Sequence, residues 1–364
     1  MSHPLISELQ SRLGEAYVAS TTEQMQRYTD EPRLRWRQMP LAVARPGSTA
    51  EVAAIVQACR AHRVPIVTRG GGTGTVGGAS ATTDRAELVL SLDRMRAVRD
   101  IQPSAATLTA EAGVALDAAR AAAREHDLDI PLWLASDGSA TIGGVLATNA
   151  GGNTTIRHGN ARRMMLGLKA VLADGRVLNL LSGLRKDNSG YALAELLVGS
   201  EGTLGILTAA TISLIPRPRQ RITLMCAIPS PAAALELLEK MRAGLGETLS
   251  AFELMPRQAL ELSLNHLPDA RDPLDPPSPW YALVDAETAI PGDWLQPAAT
   301  GLFHELIEGG TVTDAVAASS EQQADQLWAL REAISPAQKA FGASIKHDIS
   351  IPIAAIPAMI DETL

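Results

Sequence analysis

The chain has 364 residues, of which 46% are apolar and only 3% aromatic, with a formal net charge of -8. That length suits about two domains with a sizeable core, which alanine, leucine, valine and isoleucine must fill. The acidic balance and the lack of a basic tract exclude a nucleic-acid partner, two cysteines exclude a disulfide scaffold, and no stretch reaches the ~20 apolar residues of a membrane span. With no apolar run like a signal peptide at its start, the chain reads as cytoplasmic, or peripheral to a membrane.

In chain order, residues 1–14 read as a short amphipathic helix or arm. Residues up to 39 form a lead-in with Tyr28 and Trp36, the latter expected to pack rather than to bind. The first unit is expected over 40–218. It opens with a short strand at Ala42–Ala44, after which Ser48 and Glu51 have capping-box spacing. Val52, Ile55, Val56 and Cys59 then share one helical face. The β-branched run Val64–Thr68 reads as a buried strand.

That strand runs into RGGGTGTVGGA, Arg69 to Ala79. Glycine lets the backbone approach a ligand, and successive amides can point at an anion. The segment therefore reads as the grip on a phosphate-bearing cofactor. It lies beyond the carboxyl end of a strand, where α/β units favour ligands. Neither the dinucleotide pattern GxGxxG opening directly onto a helix nor GxxxxGK[ST] is matched.

Leu88–Leu92 and Thr107–Ala110 read as strands, and Val114–His126 as an alanine-rich helix. A second glycine segment follows, GSATIGGVLATNAGG from Gly138 to Gly152, whose middle suits a helix lying against something flat. Asp174-Gly175 marks a hairpin between Leu166–Ala173 and Val177–Leu180. A third segment, GSEGTLGI from Gly199 to Ile206, opens onto an extended run to Ile215, and Pro216 and Pro218 mark a boundary. Three such segments suit a long cofactor with a pyrophosphate and two ring systems.

The second unit is expected over 219–364. Strands are expected at Ile222–Ala227, Leu249–Leu254, Tyr281–Asp285 and Ile349–Ile351. Helices are expected from Ser230-Pro231, over Pro291–Glu308 and over Ser320–Ala340, with an exposed loop at Asp269–Pro279. Arg331 and Ser335 are one turn apart on the last of these helices. Lys346 lies near the entrance to the final strand.

Together these stretches resemble the FAD-binding oxidoreductases of the vanillyl-alcohol oxidase type, in the D-2-hydroxyacid dehydrogenase branch that acts on D-2-hydroxyglutarate, D-lactate or glycolate. Beside the three glycine segments, the resemblance rests on HGNARRMMLGLKAVLADGRVL (His158–Leu178), KDNSGYAL (Lys186–Leu193) and SAFELM (Ser250–Met255). It also rests on the span from LREAIS (Leu330–Ser335) to IKHDISIP (Ile345–Pro352). It implies an α+β fold, a two-part FAD-binding domain followed by an α+β substrate domain that is incomplete at its C-terminal end. It assigns Arg69, Gly70, Gly71, Gly72, Thr73, Gly74, Gly78, Gly138, Thr141, Gly144, Asn149, Gly151, Gly152, Gly202 and Ile206 to FAD. FAD is expected to be non-covalent, because the tethering histidine or cysteine of other branches is absent. Arg331, Ser335 and Lys346 match the positions that hold the substrate carboxylate.

The chain departs from the family pattern in three places. Thr75 replaces a leucine and Ala192 an aspartate. Family members continue beyond Leu364 through a His-x-Gly-Asp-Gly-Asn-x-His stretch that supplies divalent-metal ligands, such as for zinc, and the catalytic base. No metal site and no catalytic base are therefore expected within this chain. Leu364 is expected to stop inside the helix begun near Ile353. The implied reaction is hydride transfer from a D-2-hydroxy acid to the flavin, with electrons passed to a non-oxygen acceptor such as a quinone or an electron-transfer protein. A homodimer or a complementing C-terminal chain fits the same reading. The alternative is a catalytically weak FAD-binding remnant, or one subunit of a split, glycolate oxidase-like complex.

Overall fold

The structure is a computed structural model that describes residues 3–30, 36, 38–82, 85–342 and 344–363. The chain divides into two compact units: Met1–Gly152 with Gly159–Arg217, and Asn153–His158 with Pro218–Leu364.

The first unit contains helices α1 (Pro4–Leu13), α2 (Thr22–Met25), α3 (Thr49–His62), α4 (Leu116–Arg124) and α5 (Ile142–Ala147). The short α6 (Thr155–His158) belongs to the second unit, and α7 (Ala161–Met164) and α8 (Leu193–Leu197) return to the first. Its strands are β1 (Val18–Ala19), β2 (Ala42–Ala44), β3 (Ile66–Arg69), β4 (Leu88–Ser91), β5 (Val98–Gln102), β6 (Thr107–Glu111), β7 (Leu128–Asp129), β8 (Met165–Leu172), β9 (Val177–Leu180), β10 (Gly205–Ser213) and β11 (Ile215–Pro216).

Two main sheets result. In the order β1-β2-β4-β3, both β2 and β3 run parallel to β4, with Ile66 beside Leu88 and Arg69 beside Ser91. Leu5 and Leu9 of α1 and Val52 and Ile55 of α3 pack with Leu88 and Leu90 of this sheet. The N-cap of the signal before α3 forms, while the reciprocal Glu51 bond goes to Gly47 N rather than to Ser48 N. Ser48 Oγ accepts from Glu51 N at 3.2 Å, and Glu51 Oε2 accepts from Gly47 N at 2.8 Å. A cap of this kind is worth ~1 kcal/mol. The second sheet, β5-β6-β10-β8-β9, is antiparallel throughout. Leu116 of α4 and Ile142 and Leu146 of α5 share its core with Leu108, Leu168 and Ile212. The Asp174-Gly175 turn joins β8 to β9, with Gly175 at φ +87°.

The second unit continues with β12 (Gln220–Ile228), α9 (Pro231–Leu245), β13 (Leu249–Pro256), α10 (Arg257–His266), β14 (Trp280–Thr288), α11 (Leu295–Glu308), β15 (Asp314–Ala317), α12 (Glu321–Glu332), α13 (Ile334–Phe341) and α14 (Ile356–Thr363). Its strands form an antiparallel sheet in the order β13-β14-β12-β15. Side chains alternate across a strand, so the continuous apolar run of β12 serves two cores. Leu224 and Cys226 pack with Leu237 of α9 and Phe303 of α11, whereas Met225 and Ala227 pack with Leu260 of α10 and Leu327 and Trp328 of α12. The α+β class agrees with the expectation from sequence.

Two expectations are corrected. The helix over Ser320–Ala340 is interrupted at Ala333, between α12 and α13. Pro336 has no N–H for the carbonyl one turn earlier, which loosens that turn. The strand at Ile349–Ile351 does not form, and residues 344–352 have no regular structure. A strand needs a ladder partner for its backbone groups, and none pairs with this segment among the described residues. The terminal helix is a 3-10 turn, Ile353–Ala355, followed by α14, and Leu364 lies outside the described residues.

Two buried features recur below. Asp285 of β14 accepts from Trp328 Nε1 at 3.0 Å and from Arg221 Nη2 at 2.6 Å, which ties α12 to the sheet. Cys59 and Cys226 are free and buried, one in each unit. Burial pushes the Cys59 thiol up to about 12 and the Cys226 thiol higher still. Among the described residues no helix is long and apolar enough to cross a membrane.

Candidate cofactor site

The first glycine segment leaves the carboxyl end of β3 and lies against the second. A Cβ on Gly70 would sit 2.5 Å from Thr141 Oγ1, and one on Gly71 would overlap the carbonyl oxygen of Ser139. At Gly71 backbone meets backbone, and at Gly70 backbone meets the Thr141 hydroxyl, so neither position has room for a side chain. Gly74 differs, since a Cβ there would meet nothing within 4 Å. At Gly78 and Gly138 the nearest atoms are Glu201 Oε2 at 3.5 Å and Asp117 Oδ2 at 3.7 Å. All three are exposed, so crowding within the protein does not explain them, and beside Gly74 the backbone faces open space.

Arg69 is buried at 8% exposure, and burial lowers its pKa. Its Nη1 donates to Ala79 O at 3.1 Å and its Nη2 to Asp30 O at 2.9 Å. The guanidinium therefore braces the loop from inside, beneath Gly72. Thr73 is half-buried beside it. The ring of Trp36 lies on Gly77, where a Cβ would stand 2.9 Å from it. The aromatic of the lead-in is a packing residue, as expected, and it packs on the cofactor loop itself.

The second segment forms α5, capped by Thr141, whose Oγ1 accepts from Gly144 N at 3.2 Å. Asn149 follows at φ +49°, and its Oδ1 accepts from Arg162 N at 3.0 Å. Gly151 is exposed, and Gly152 lies against the carbonyl of Trp133. The third segment closes the group. Gly202, at φ +83°, would place a Cβ 3.6 Å from Thr68 Oγ1. Ile206 is buried, and with Thr68, Arg60 and Gly202 it lines a cleft of about 330 Å³. Thus all three segments converge in the first unit.

Arg162 falls within the His158–Leu178 stretch, but nothing in the sequence assigned it a role. Its guanidinium donates to Glu195 O and, at 2.7 Å, to Val198 O, holding the run into the third segment beside Asn149. Such bonds to main-chain carbonyls leave no residue pattern.

In the second unit Arg331, on α12, is half-buried, and both its Nε and Nη2 lie 2.9 Å from Glu253 Oε2 of β13. Ser335 is exposed on α13. Lys346 is exposed, and its Nζ donates to Gln338 Oε1. Among the described residues no hydrogen bond joins the three. No group of three or more His, Cys, Asp or Glu side chains that could hold a metal ion occurs among the described residues either.

Residues 40–181 match the FAD binding domain family, and residues 217–364 match the C-terminal domain of FAD linked oxidases. The chain is 39% identical over 363 residues to D-2-hydroxyglutarate dehydrogenase of Xanthomonas citri pv. viticola, covering all of this chain and 75% of that protein. It belongs to the FAD-binding oxidoreductases of the vanillyl-alcohol oxidase type. Within them it is related to the D-2-hydroxyglutarate dehydrogenases, and the cofactor of its first unit is FAD. The mitochondrial D-2-hydroxyglutarate dehydrogenase of Bos taurus is 39% identical over 329 residues, with 89% of this chain and 59% of that protein covered. The chain thus spans between about half and three quarters of the length of such relatives. Among solved structures, alkyldihydroxyacetonephosphate synthase superposes with a TM-score of 0.74 at 20% identity, over 94% of this chain and 66% of that one. At that identity the likeness speaks for the fold alone.

The cytoplasmic expectation is corrected by these relatives. The bovine protein and the other animal and plant relatives are mitochondrial. Few cysteines and no apolar span separate reducing from oxidising compartments, but do not separate cytosol from organelle.

Proposed function

We propose that the protein is an FAD-dependent dehydrogenase that oxidises a D-2-hydroxy acid to the 2-oxo acid and passes electrons to a non-oxygen acceptor. The observation that carries this reading is the 39% identity, over 363 residues, to a D-2-hydroxyglutarate dehydrogenase. The open space beside Gly74 supports it, since bare backbone there can approach a phosphate. We assign the cofactor domain to 40–218 and the substrate domain to 219–364.

When bound, FAD supplies the acceptor for the substrate's Cα hydride. The glycine backbone from Gly70 to Gly74 offers amides to the phosphates, and the buried Arg69 cation beneath adds positive potential in a poorly screened place. Thr141 Oγ1 and Asn149 Oδ1 accept from Gly144 N and Arg162 N, which fixes the loops and leaves the Thr141 hydroxyl and the Asn149 amide N–H groups as donors for the cofactor. Gly138, Gly144, Gly151, Gly152 and Gly202 shape the walls, and Ile206 is the apolar side.

Arg331, Ser335 and Lys346 are assigned to the substrate carboxylate. A guanidinium fork binds a carboxylate through two parallel N–H bonds. On Arg331 that edge, Nε with Nη2, is turned to Glu253. A substrate carboxylate must displace Glu253 or take the other edge. No residue of this chain is assigned as the base for the hydroxyl proton.

The test is anaerobic bleaching of the flavin by D-2-hydroxyglutarate, D-lactate and glycolate, each with and without zinc. Bleaching by any of them, weakened by Arg331→Ala without loss of FAD, is the expected result. Intact FAD that no acid reduces under either condition would favour the remnant reading. FAD is expected to leave on acid treatment, with the chain at its unmodified mass.

A further inference from the structure

Behind the second glycine segment lies a buried arginine that the reaction does not use. Arg120, on α4, is 4% exposed. Its Nη1 donates to Asp129 Oδ1 at 2.6 Å and to Ile130 O at 2.9 Å. Its Nη2 donates to Asp137 Oδ2 at 2.8 Å and to Leu132 O. The other oxygen of Asp137 accepts from Leu134 N at 2.8 Å, which closes a turn. Ser139 N and Ala140 N then both donate to Ser136 O, at 2.9 and 2.7 Å. That turn delivers the Ser139 carbonyl to Gly71 and Thr141 to Gly70. The Trp133 ring meanwhile lies 3.7 Å from the Arg120 guanidinium carbon, and the Trp133 carbonyl is the wall against Gly152. Both ends of the second segment are therefore referenced to one guanidinium.

Resting on the FAD reading above, we propose that Arg120 and Asp137 are positioning residues for the cofactor. They set where the backbone of Gly138 to Thr141 stands, and through it FAD affinity, without touching FAD. A run of small residues has little packing of its own to define its place, and each unrestrained residue costs conformational entropy on binding. A multiply bonded guanidinium removes that freedom before the ligand arrives. Arg124 supplies an internal comparison. It sits one turn along the same helix, shares Asp129 at 2.9 and 3.0 Å and lies farther from the Trp133 ring, at 5.3 Å, but makes no hydrogen bond to the turn.

The experiment uses the whole 364-residue chain. FAD Kd is read from flavin fluorescence and the flavin environment from visible circular dichroism, with urea unfolding of the apoprotein alongside. Asp137→Asn keeps the shape and removes the charge. It should raise Kd by roughly tenfold and alter the visible dichroism. Arg120→Lys, which keeps the charge and loses the fork, should raise Kd less. Arg124→Gln should leave Kd and spectrum at parent values, whatever it does to the urea midpoint. If Asp137→Asn does not unfold cooperatively, Arg120→Lys against Arg124→Gln makes the same comparison. Parent-like Kd and spectrum in both Asp137→Asn and Arg120→Lys would overturn the proposal. So would equal weakening by Arg124→Gln, which would reduce the network to a matter of stability. A parent chain that binds no FAD at all would sink the cofactor reading instead, and the parent control tells the two failures apart.

Discussion

Gly71 and Lys346 stand for two ways of building a binding site. In the first unit the candidate contacts are close approaches of main chain, to the Ser139 carbonyl at Gly71 and to the Thr141 hydroxyl at Gly70. A missing Cβ at Gly70 and Gly71 and a buried arginine beneath Gly72 settle their places before any ligand is present. In the second unit they are side chains with several rotatable bonds. Arg331 is paired with Glu253, Ser335 is exposed, and Lys346 reaches Gln338 from a stretch with no regular structure. The first kind of site resists change and tolerates almost no substitution. The second rearranges at small cost, so its residues can be swapped without harm to the fold.

The contrast breaks first at Gly71. Gly71→Ala should abolish FAD loading and cost about 1–3 kcal/mol, because the new Cβ overlaps a fixed carbonyl. Gly74→Ala, three residues on, should leave the melting temperature within error and weaken FAD binding only. Absorbance of the purified flavin and thermal unfolding measure both, and a normal flavin content in Gly71→Ala would end the claim of a preset loop. Next in size, Trp328→Phe should cost about 1–3 kcal/mol in urea unfolding of the second unit, since Asp285 is left short of a buried donor. FAD affinity should not move. Smaller again, Arg331→Ala should change stability by no more than ~1 kcal/mol, because its pair with Glu253 is partly solvated. A larger loss would mean that this arginine holds the fold rather than waits for a carboxylate.

The smallest effect concerns Glu8, which the hydrogen bond from His62 and the nearby Arg12 hold below the usual carboxylate range. A lowered carboxyl pKa contributes stability above the unfolded-state value, and that contribution is lost as pH falls through the folded one. The melting difference between parent and Glu8→Gln should therefore be present at neutral pH and vanish in acid, at about 0.5 kcal/mol or less. A difference that grows on acidification would reverse the assignment.

What could be read in advance follows the same division. The strand Ala42–Ala44, the cap at Ser48, the Ser230-Pro231 helix start and the Asp174-Gly175 hairpin were legible because each is a local device written in adjacent residues. The glycine segments were legible for the same reason. β5 escaped notice because its run Val98–Gln102 is charged and largely exposed, and β15 because Asp314–Ala317 is short and small. The Arg120 hub was hidden because two of its acceptors are main-chain carbonyls and its carboxylate partners lie nine and seventeen residues away. The failure at Ile349–Ile351 has the opposite cause. Its β-branched residues favour a strand, but pairing is a tertiary event that propensity cannot supply.

The two cysteines give the comparison a clock. Cys59 lies in the core of the first unit and Cys226 in the core of the second, and both thiols are held far from their reactive form at neutral pH. Cys59 is almost fully buried at the wall of the cleft and Cys226 is fully buried, so each is alkylated only as its own surroundings open. A brief pulse of alkylating reagent followed by peptide mass mapping would therefore time the opening of each unit separately, in the unaltered chain. FAD, if it binds where the glycine segments converge, should slow the Cys59 signal and leave that of Cys226 alone.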